Sequence, residues 1–133
     1  MRIFFDTNVL VAAFVTRGAS TDVFEYCLFH HTIVISEFVL EEFERVMTKK
    51  FRFSPERVEQ ILCFLRRELA IVVSTDALVQ LCCDPDDDQI LADAQSSQVE
   101  LLLTGDQDLL ILGKTVSVQV LSPSDFWKFE GTD

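Results

Sequence analysis

Short apolar stretches rich in strand-forming residues alternate along this sequence with longer stretches of helical periodicity. The predicted strands are residues 2–5, 32–36, 70–73, 101–104 and 116–121. Apolar strands separated by helices are typical of a parallel sheet, because each crossover connection places a helix on one face of the sheet. We therefore expect an α/β fold, a three-layer α/β/α sandwich with a central parallel sheet of about five strands.

Capping signals and apolar periodicity predict where the helices begin. Ser36 and the Ser54-Pro55 pair are typical N-cap sequences, and each precedes an apolar stripe of helical spacing. Further helices are predicted from Val9, from Asp22 to His31, after an acidic turn at 84–88, from Asp108, and after a cap at Ser122. No repeat or long linker separates these elements, so residues 1–133 are expected to form a single domain.

The composition excludes several classes of protein. Hydrophobic residues make up 49% of the 133 residues, which is too apolar for a disordered chain. No apolar run approaches the roughly 20 residues of a membrane-spanning helix, and Asp6 interrupts the apolar N-terminus before a signal peptide could form. The cysteines lack the C-x-x-C spacing of zinc and redox sites; they are Cys27, Cys63, Cys82 and Cys83. We expect a soluble, cytoplasmic protein with buried thiols and no membrane partner.

Charge is distributed unevenly along the chain. The formal net charge is −11, which by itself argues against a nucleic-acid partner. Seven of the eleven basic residues nevertheless lie between Arg45 and Arg67, and no Lys or Arg occurs from Glu68 to Gly113. This polarity is compatible with a metallonuclease that holds cations in one half and a phosphate backbone in the other, although a solvated helical surface explains the basic stretch equally well.

Two acidic residues follow directly on predicted strands. Asp6 follows the first strand and Asp106 follows the strand at 101–104. The carboxyl ends of parallel strands meet at one edge of a sheet, where ligands bind in open α/β folds. Glu42, about two turns into the helix after Ser36, and Asp88, at the end of the acidic turn, could reach the same edge.

A cluster of carboxylates predicts a particular kind of metal. Carboxylate oxygens are hard ligands that suit Mg²⁺ or Mn²⁺, and such a cation could activate water for attack on a phosphodiester. The sequence offers no comparable zinc site, since His30 and His31 end a predicted helix, where histidine interacts with the helix dipole or faces solvent. The acidic run 84–88 resembles a calcium loop, but Gln89 stands where that loop needs glycine.

Four short motifs, in order along the chain, resemble those of the PIN domain family. They are Asp6-Thr7-Asn8-Val9-Leu10, Ser36 with Glu42 six residues on, Asp88-Gln89-Ile90-Leu91-Ala92, and Thr104-Gly105-Asp106. The resemblance spans nearly the whole chain. It implies a metal-dependent endoribonuclease in which Asp6, Glu42, Asp88 and Asp106 are catalytic residues that bind Mg²⁺ or Mn²⁺, with Asn8 and Thr104 in support.

The same resemblance implies partners. Many PIN proteins are toxins of VapC-type toxin-antitoxin pairs. It therefore implies an RNA substrate, a small antitoxin protein that silences the chain, and a homodimer.

Some assignments stay open at the level of sequence. Asp86 or Asp87 could replace Asp88 as the acidic residue of the third motif, and Glu41 neighbours Glu42. Asp108 could be a further ligand or could support the ligands.

Two other functions are compatible with the sequence. A phosphoryl-transfer enzyme could use an aspartate nucleophile after the first strand, but Asp6-Thr7-Asn8 lacks the second aspartate of the phosphatase pattern, and Glu42 has no role there. The alternative is a catalytically idle PIN-fold module that binds RNA or protein.

Overall fold

Five parallel strands form one sheet at the centre of the molecule. The computed structural model describes residues 1–76, 84–112 and 117–131. The strands are β1 (Arg2–Phe5), β2 (Thr32–Ser36), β3 (Ala70–Val72), β4 (Leu101–Leu103) and β5 (Gln119–Leu121). Their order across the sheet is β3-β2-β1-β4-β5, and every neighbouring pair is parallel. The predicted α/β/α sandwich with a five-stranded parallel sheet is confirmed.

Helices connect the strands and cover the sheet. Within the described ranges they are α1 (Thr7–Val15), α2 (Ala19–His30), α3 (Glu37–Lys49), α4 (Pro55–Glu68), α5 (Pro85–Ser96), α6 (Gln107–Leu112) and α7 (Pro123–Glu130). Ser36, Ser54 and Ser122 cap α3, α4 and α7, since each hydroxyl accepts a backbone N–H of the first turn. None of the described helices has the length and apolar character to cross a membrane.

The strand order determines where a ligand can bind. The chain builds β1, β2 and β3 outward in one direction and then returns to place β4 and β5 on the other side of β1. Such a reversal leaves a crevice at the carboxyl ends of the strands on either side of it, here β1 and β4. These are the two strands that Asp6 and Asp106 follow.

Aromatic rings join the helices α1, α2, α3 and α4. Phe14 of α1 makes edge contacts with Phe24, Phe43 and Phe64, whose ring centroids lie 5.4, 5.6 and 6.4 Å away. Phe43 belongs to α3 and is fully buried. Helices α1 and α3, which carry two of the predicted site residues, are therefore packed firmly against each other.

Three helices begin at least two residues earlier than the sequence predicts. Helix α1 starts at Thr7, directly after β1, because Asp6 already has the extended backbone of an N-cap residue. Helix α2 starts at Ala19, since Gly18 alone makes the break that was assigned to residues 18–21. Helix α5 starts at Pro85 because Asp84 is its N-cap and accepts the N–H of Asp86 at 2.9 Å. The acidic run at 84–88 therefore forms the N-cap and first helical turn of α5, and it is not a loop that precedes the helix.

Smaller differences concern strand ends and the histidines. Strand β3 ends at Val72 and β4 at Leu103, one residue earlier than predicted. Residue 116, the predicted start of the last strand, lies outside the described residues, as do Cys82 and Cys83. Cys27 is a buried thiol as expected, whereas Cys63 is exposed.

His31 is part of a network at the opposite edge of the sheet from the crevice. Its Nε2 lies 2.6 Å from a carboxylate oxygen of Glu130, which also accepts the hydroxyl of Tyr26 at 2.9 Å. His31 is partly buried and immediately precedes β2, at the amino ends of the strands. It ties α2 to α7 and does not face solvent.

Candidate metal centre

Asp6 lies where β1 ends and α1 begins. Its side chain is buried, with 3% of the residue exposed. The backbone N–H of Asp6 donates to the carbonyl of Leu103 at 3.0 Å, which continues the pairing of β1 with β4 by one further bond. The extended backbone of Asp6 then leads directly into α1. The carboxylate is thereby placed at the crevice by a strand end and a helix start together.

Thr104 connects Asp6 to Asp106. Its hydroxyl donates to Oδ2 of Asp6 at 2.6 Å and accepts the backbone N–H of Asp106 at 3.0 Å. Thr104 is fully buried, at the end of β4. Oδ1 of Asp106 in turn accepts the N–H of Asp108 at 2.8 Å. A single buried hydroxyl therefore sets the spacing between the two predicted strand-end carboxylates.

The surroundings of Asp6 disfavour its charged form. Burial raises the pKa of the Asp6 carboxyl above its ordinary value, and the charge of Asp106 raises it further. Hydrogen bonds from Thr104 and from the backbone of Thr7 and Asn8 act in the opposite direction but do not cancel the effect. A buried carboxylate with this balance is stabilised by a nearby cation.

Glu42 reaches the same region from α3. Its Oε1 accepts the hydroxyl of Thr7 at 2.6 Å, and its Oε2 lies 3.6 Å from Nη2 of Arg45. Burial raises the pKa of Glu42, as do the charges of Asp86 and Asp6, whereas Thr7 and Arg45 lower it. Glu42 is therefore within electrostatic reach of Asp6, and Thr7 holds it against α1.

Helix α5 contributes Asp87. The residue is 8% exposed, and burial together with the charge of Asp106 raises its pKa to about 7. The charge of Asp6 and a hydrogen bond with Asp106 contribute to the same shift. Oxygens of Asp87, Asp106 and Asp108 lie within 4.8 Å of one another. Asp87 thus brings a carboxylate of the acidic run next to Asp106.

Asp88, the residue that the sequence favoured in this run, is also buried, with 5% exposed. It lies one position further along α5, which turns its side chain roughly 100° about the helix axis from that of Asp87. Asp87 interacts with Asp106 and Asp6, and Asp88 as a ligand stays a prediction. Asn8 is exposed in the first turn of α1, where it lines a cavity beside the centre.

Two contributors were not singled out from the sequence. Thr7 supports Glu42, and the only signal for it is its place between Asp6 and Asn8 in the first motif. The sequence offers Asp87 only as an alternative to Asp88, because four aspartates within 84–88 cannot be ranked until the start of the helix is known.

The donor set of this centre suits a hard divalent cation. Every side chain of the group Asp87, Asp106 and Asp108 offers a carboxylate oxygen. An octahedral Mg²⁺ with ligands at about 2.1 Å separates neighbouring ligand oxygens by about 3 Å and opposite ones by about 4 Å. The limit of 4.8 Å on the observed spacing is close to these values. The three raised pKa values, of Asp6, Glu42 and Asp87, indicate that positive charge is what the cluster requires.

Known structures share this fold. The VapBC2 complex of Rickettsia felis bound to a DNA fragment from its promoter includes a chain 18% identical in sequence, with a TM-score of 0.64 over 92% of this chain and 98% of that one. A toxin-antitoxin complex from Klebsiella pneumoniae gives 21% identity and a TM-score of 0.63 over 91% and 97%. The PIN domain endonuclease Utp24 is 18% identical in sequence, with a TM-score of 0.53 over 91% of this chain and 84% of that one. At these identities the likeness establishes the fold.

The sequence comparisons are more specific. A search of curated proteins found no match. The family model for the PIN domain matches residues 2–108, which include all the carboxylates of the centre. The resemblance predicted from the four motifs is thereby confirmed, and the chain belongs to the PIN domain family.

Proposed function

We propose that this protein is a metal-dependent endoribonuclease that hydrolyses RNA phosphodiester bonds. The observation that carries the proposal is the convergence of carboxylates from four separate segments at one edge of the sheet. Asp6 follows β1, Glu42 comes from α3, Asp87 from α5, and Asp106 follows β4. Membership of the PIN family and the fold shared with the endonuclease Utp24 support the same conclusion.

The proposed ligands of Mg²⁺ or Mn²⁺ are Asp6, Asp87 and Asp106, with Glu42 and Asp108 beside them. Asp88 stays a ligand predicted from the sequence alone. A divalent cation bound there supplies the charge that activates water and stabilises the leaving oxygen of a phosphodiester. The raised pKa values of Asp6, Glu42 and Asp87 support this assignment, because protons and a cation compete for the same carboxylate oxygens.

The chain itself orders the ligands before any cation binds. Thr104 holds Asp6 and the backbone of Asp106, and Thr7 holds Glu42. Because these hydroxyls are fixed at helix and strand ends, the carboxylates need little reorganisation to bind a cation. The protein's contribution is mainly this positioning.

The RNA backbone is proposed to leave the centre along α3. Arg45 is half exposed and lies 3.6 Å from Glu42, at the boundary between the acidic centre and the basic stretch of the sequence. Lys49, one turn further along α3, is exposed. Residues four apart share a face of a helix, so Arg45 and Lys49 present two cations side by side. Such a pair suits the phosphates on either side of a cleaved bond.

The biological role we propose is that of a toxin in a toxin-antitoxin pair. Its support is the likeness to chains of the Rickettsia felis and Klebsiella pneumoniae complexes, each matched over more than nine-tenths of both chains. A small antitoxin partner, a homodimeric state and a cytoplasmic location are parts of this proposal. Co-purification from the native host tests the antitoxin partner, and sedimentation of the pure chain tests the homodimeric state.

The central experiment is cleavage of a mixed-sequence RNA by the purified protein. We expect cleavage with Mn²⁺, none with EDTA, and a loss of at least about 100-fold in Asp6→Asn, which removes one charged ligand oxygen with little change in size. Asp22→Asn, the same change at an exposed position of α2, should cleave like the wild type.

Each outcome of that experiment is informative. Full activity in Asp6→Asn would disprove the assignment of the centre. Absence of cleavage in a folded wild type that still binds RNA and Mn²⁺ would favour the idle binding module over the nuclease.

A further inference from the structure

A cavity of about 340 Å³ opens beside the metal centre. Three helices form its walls. Val9 and Ala12 contribute from α1, Ala19 and Ser20 from the start of α2, and the residues from Ser122 to Ser124 from the start of α7. Its volume lies within the range of small-ligand sites, which begins at about 300 Å³. The cavity is large enough for part of a substrate.

The chemistry of the lining selects one class of ligand. None of the described residues that line the cavity is charged, in a chain of net charge −11. Apolar surface of Val9, Ala12 and Pro123 is combined with the hydroxyls of Ser20 and Ser124. A site without acidic side chains and with apolar walls does not fit a cation. It fits the neutral part of a nucleotide, the base with its ribose.

The cavity and the metal centre share two segments of chain. Asn8 lines the cavity and lies two residues beyond Asp6, and Gly105 lines it between Thr104 and Asp106. A Cβ atom at Gly105 would have no neighbour within 4 Å, so the space beside this residue is open. A nucleoside in the cavity is thus next to any phosphodiester held at the carboxylates.

We propose that this cavity binds the nucleoside adjacent to the cleaved phosphodiester of the RNA. The inference rests on the proposed nuclease function and adds to it the place where a base and ribose are held. The amide of Asn8 and the hydroxyls of Ser20 and Ser124 can donate to and accept from a base edge or a 2′-hydroxyl. These residues therefore determine which nucleotide is accepted beside the bond that is cut.

The first test measures binding without catalysis. Adenosine, guanosine, cytidine and uridine are titrated separately into ¹⁵N-labelled metal-free protein in EDTA, and amide chemical shifts are followed by NMR. Neutral nucleosides avoid repulsion by the acidic centre. We expect at least one of them to shift the amides of Ala12, Ala19 and Ser124, and we expect Ala12→Leu, which fills the cavity, to abolish these shifts.

The second test uses the kinetics of RNA cleavage. Ala12→Leu should raise KM by about tenfold or more and change kcat by less than about twofold, because it removes binding and leaves the carboxylates intact. The matched control is Ala13→Leu, the same change on the same helix, since Ala13 lines a different cavity. Ser124 is exposed, so Ser124→Leu should narrow the cavity without disturbing the core. This variant replaces Ala12→Leu in the test if Ala12→Leu fails to fold.

The outcomes separate this inference from the proposed function. Wild-type KM in both cavity variants, with no nucleoside shifts at the cavity, would overturn the inference and leave the nuclease intact. Nucleoside shifts at the cavity without metal-dependent cleavage of RNA would support the site and contradict the nuclease. Unchanged RNA kinetics with loss of binding to a co-expressed antitoxin would assign the cavity to a protein and also overturn the inference.

Discussion

Thr104 is the single residue on which the spacing of the centre depends most. Its hydroxyl makes two bonds inside a fully buried site, one to Asp6 and one from the N–H of Asp106. Thr104→Val keeps the shape but removes both bonds, so Asp6 loses a donor and the Asp106 amide loses its acceptor. We expect Mn²⁺ affinity, measured by calorimetry, to fall by about 10- to 100-fold.

Thr104→Ser is the control for that prediction, because it keeps the hydroxyl and loses only a methyl group. Its Mn²⁺ affinity should stay within about threefold of the wild type. Equal affinity in the Val and wild-type proteins would mean that the hydroxyl does not order the ligands.

Among the site residues, the sequence predicted those whose position depends on the end of a strand. Asp6 and Asp106 could be predicted because a buried apolar strand followed by an acidic residue is visible in the sequence. Asp87 could not be distinguished from Asp88, because the choice depends on the rotation of α5, and that rotation depends on where Asp84 caps the helix. The support of Glu42 by Thr7 depends on how α1 packs on α3, which no local pattern specifies.

Among the elements, α5 is anchored by two polar side chains, the buried Asp93 and the partly buried Gln89. Oδ1 of Asp93, which is fully buried, accepts the backbone N–H of Thr75 at 2.8 Å and Nε2 of Gln89 at 2.9 Å. The same Gln89 nitrogen donates to the carbonyl of Thr75 at 2.9 Å. These bonds join α5 to the segment that follows β3, and they hold the helix that carries Asp87.

Removing this anchor should destabilise the domain. Asp93→Ala leaves the N–H of Thr75 without the acceptor it has here, and we expect the free energy of unfolding, from urea titration, to fall by about 1–3 kcal/mol. Asp93→Asn can keep Oδ1 as the acceptor and should lose less than about 1 kcal/mol. The anchor is unimportant if both variants unfold at the wild-type urea concentration.

Element boundaries show where local sequence signals suffice. The caps at Ser36, Ser54 and Ser122 were predicted and are observed, because a serine hydroxyl at an N-cap is a local interaction. Helix α2 was predicted to begin too late. Ala19, Ser20 and Thr21 are not apolar enough to show periodicity, and Thr21 is held by tertiary contacts of its hydroxyl with the carbonyls of Ala13 and Thr16.

The whole molecule carries a formal net charge of −11, and several of its buried carboxyls converge on one centre. Burial and mutual repulsion raise the pKa values of Asp6, Glu42 and Asp87 in the folded, metal-free protein. The unfolded chain has ordinary carboxyl pKa values near 4, so the folded state binds more protons between about pH 4 and about pH 7. The stability that these groups contribute is therefore present at low pH and is lost as pH rises through their folded-state values.

A bound divalent cation should reverse this loss, so its effect on stability should depend on pH. At 100 times its Kd a ligand stabilises the folded state by about 2.7 kcal/mol, or roughly 10 °C in Tm for a domain of this size. We expect the Tm gain from Mg²⁺ over EDTA to approach that value near pH 8 and to shrink near pH 5, where protons compete for the same oxygens. In EDTA, Asp87→Asn should weaken the fall of Tm with rising pH, because it removes the carboxyl whose pKa is about 7. Equal Tm gains from Mg²⁺ at both pH values would mean that these carboxyls do not bind the cation.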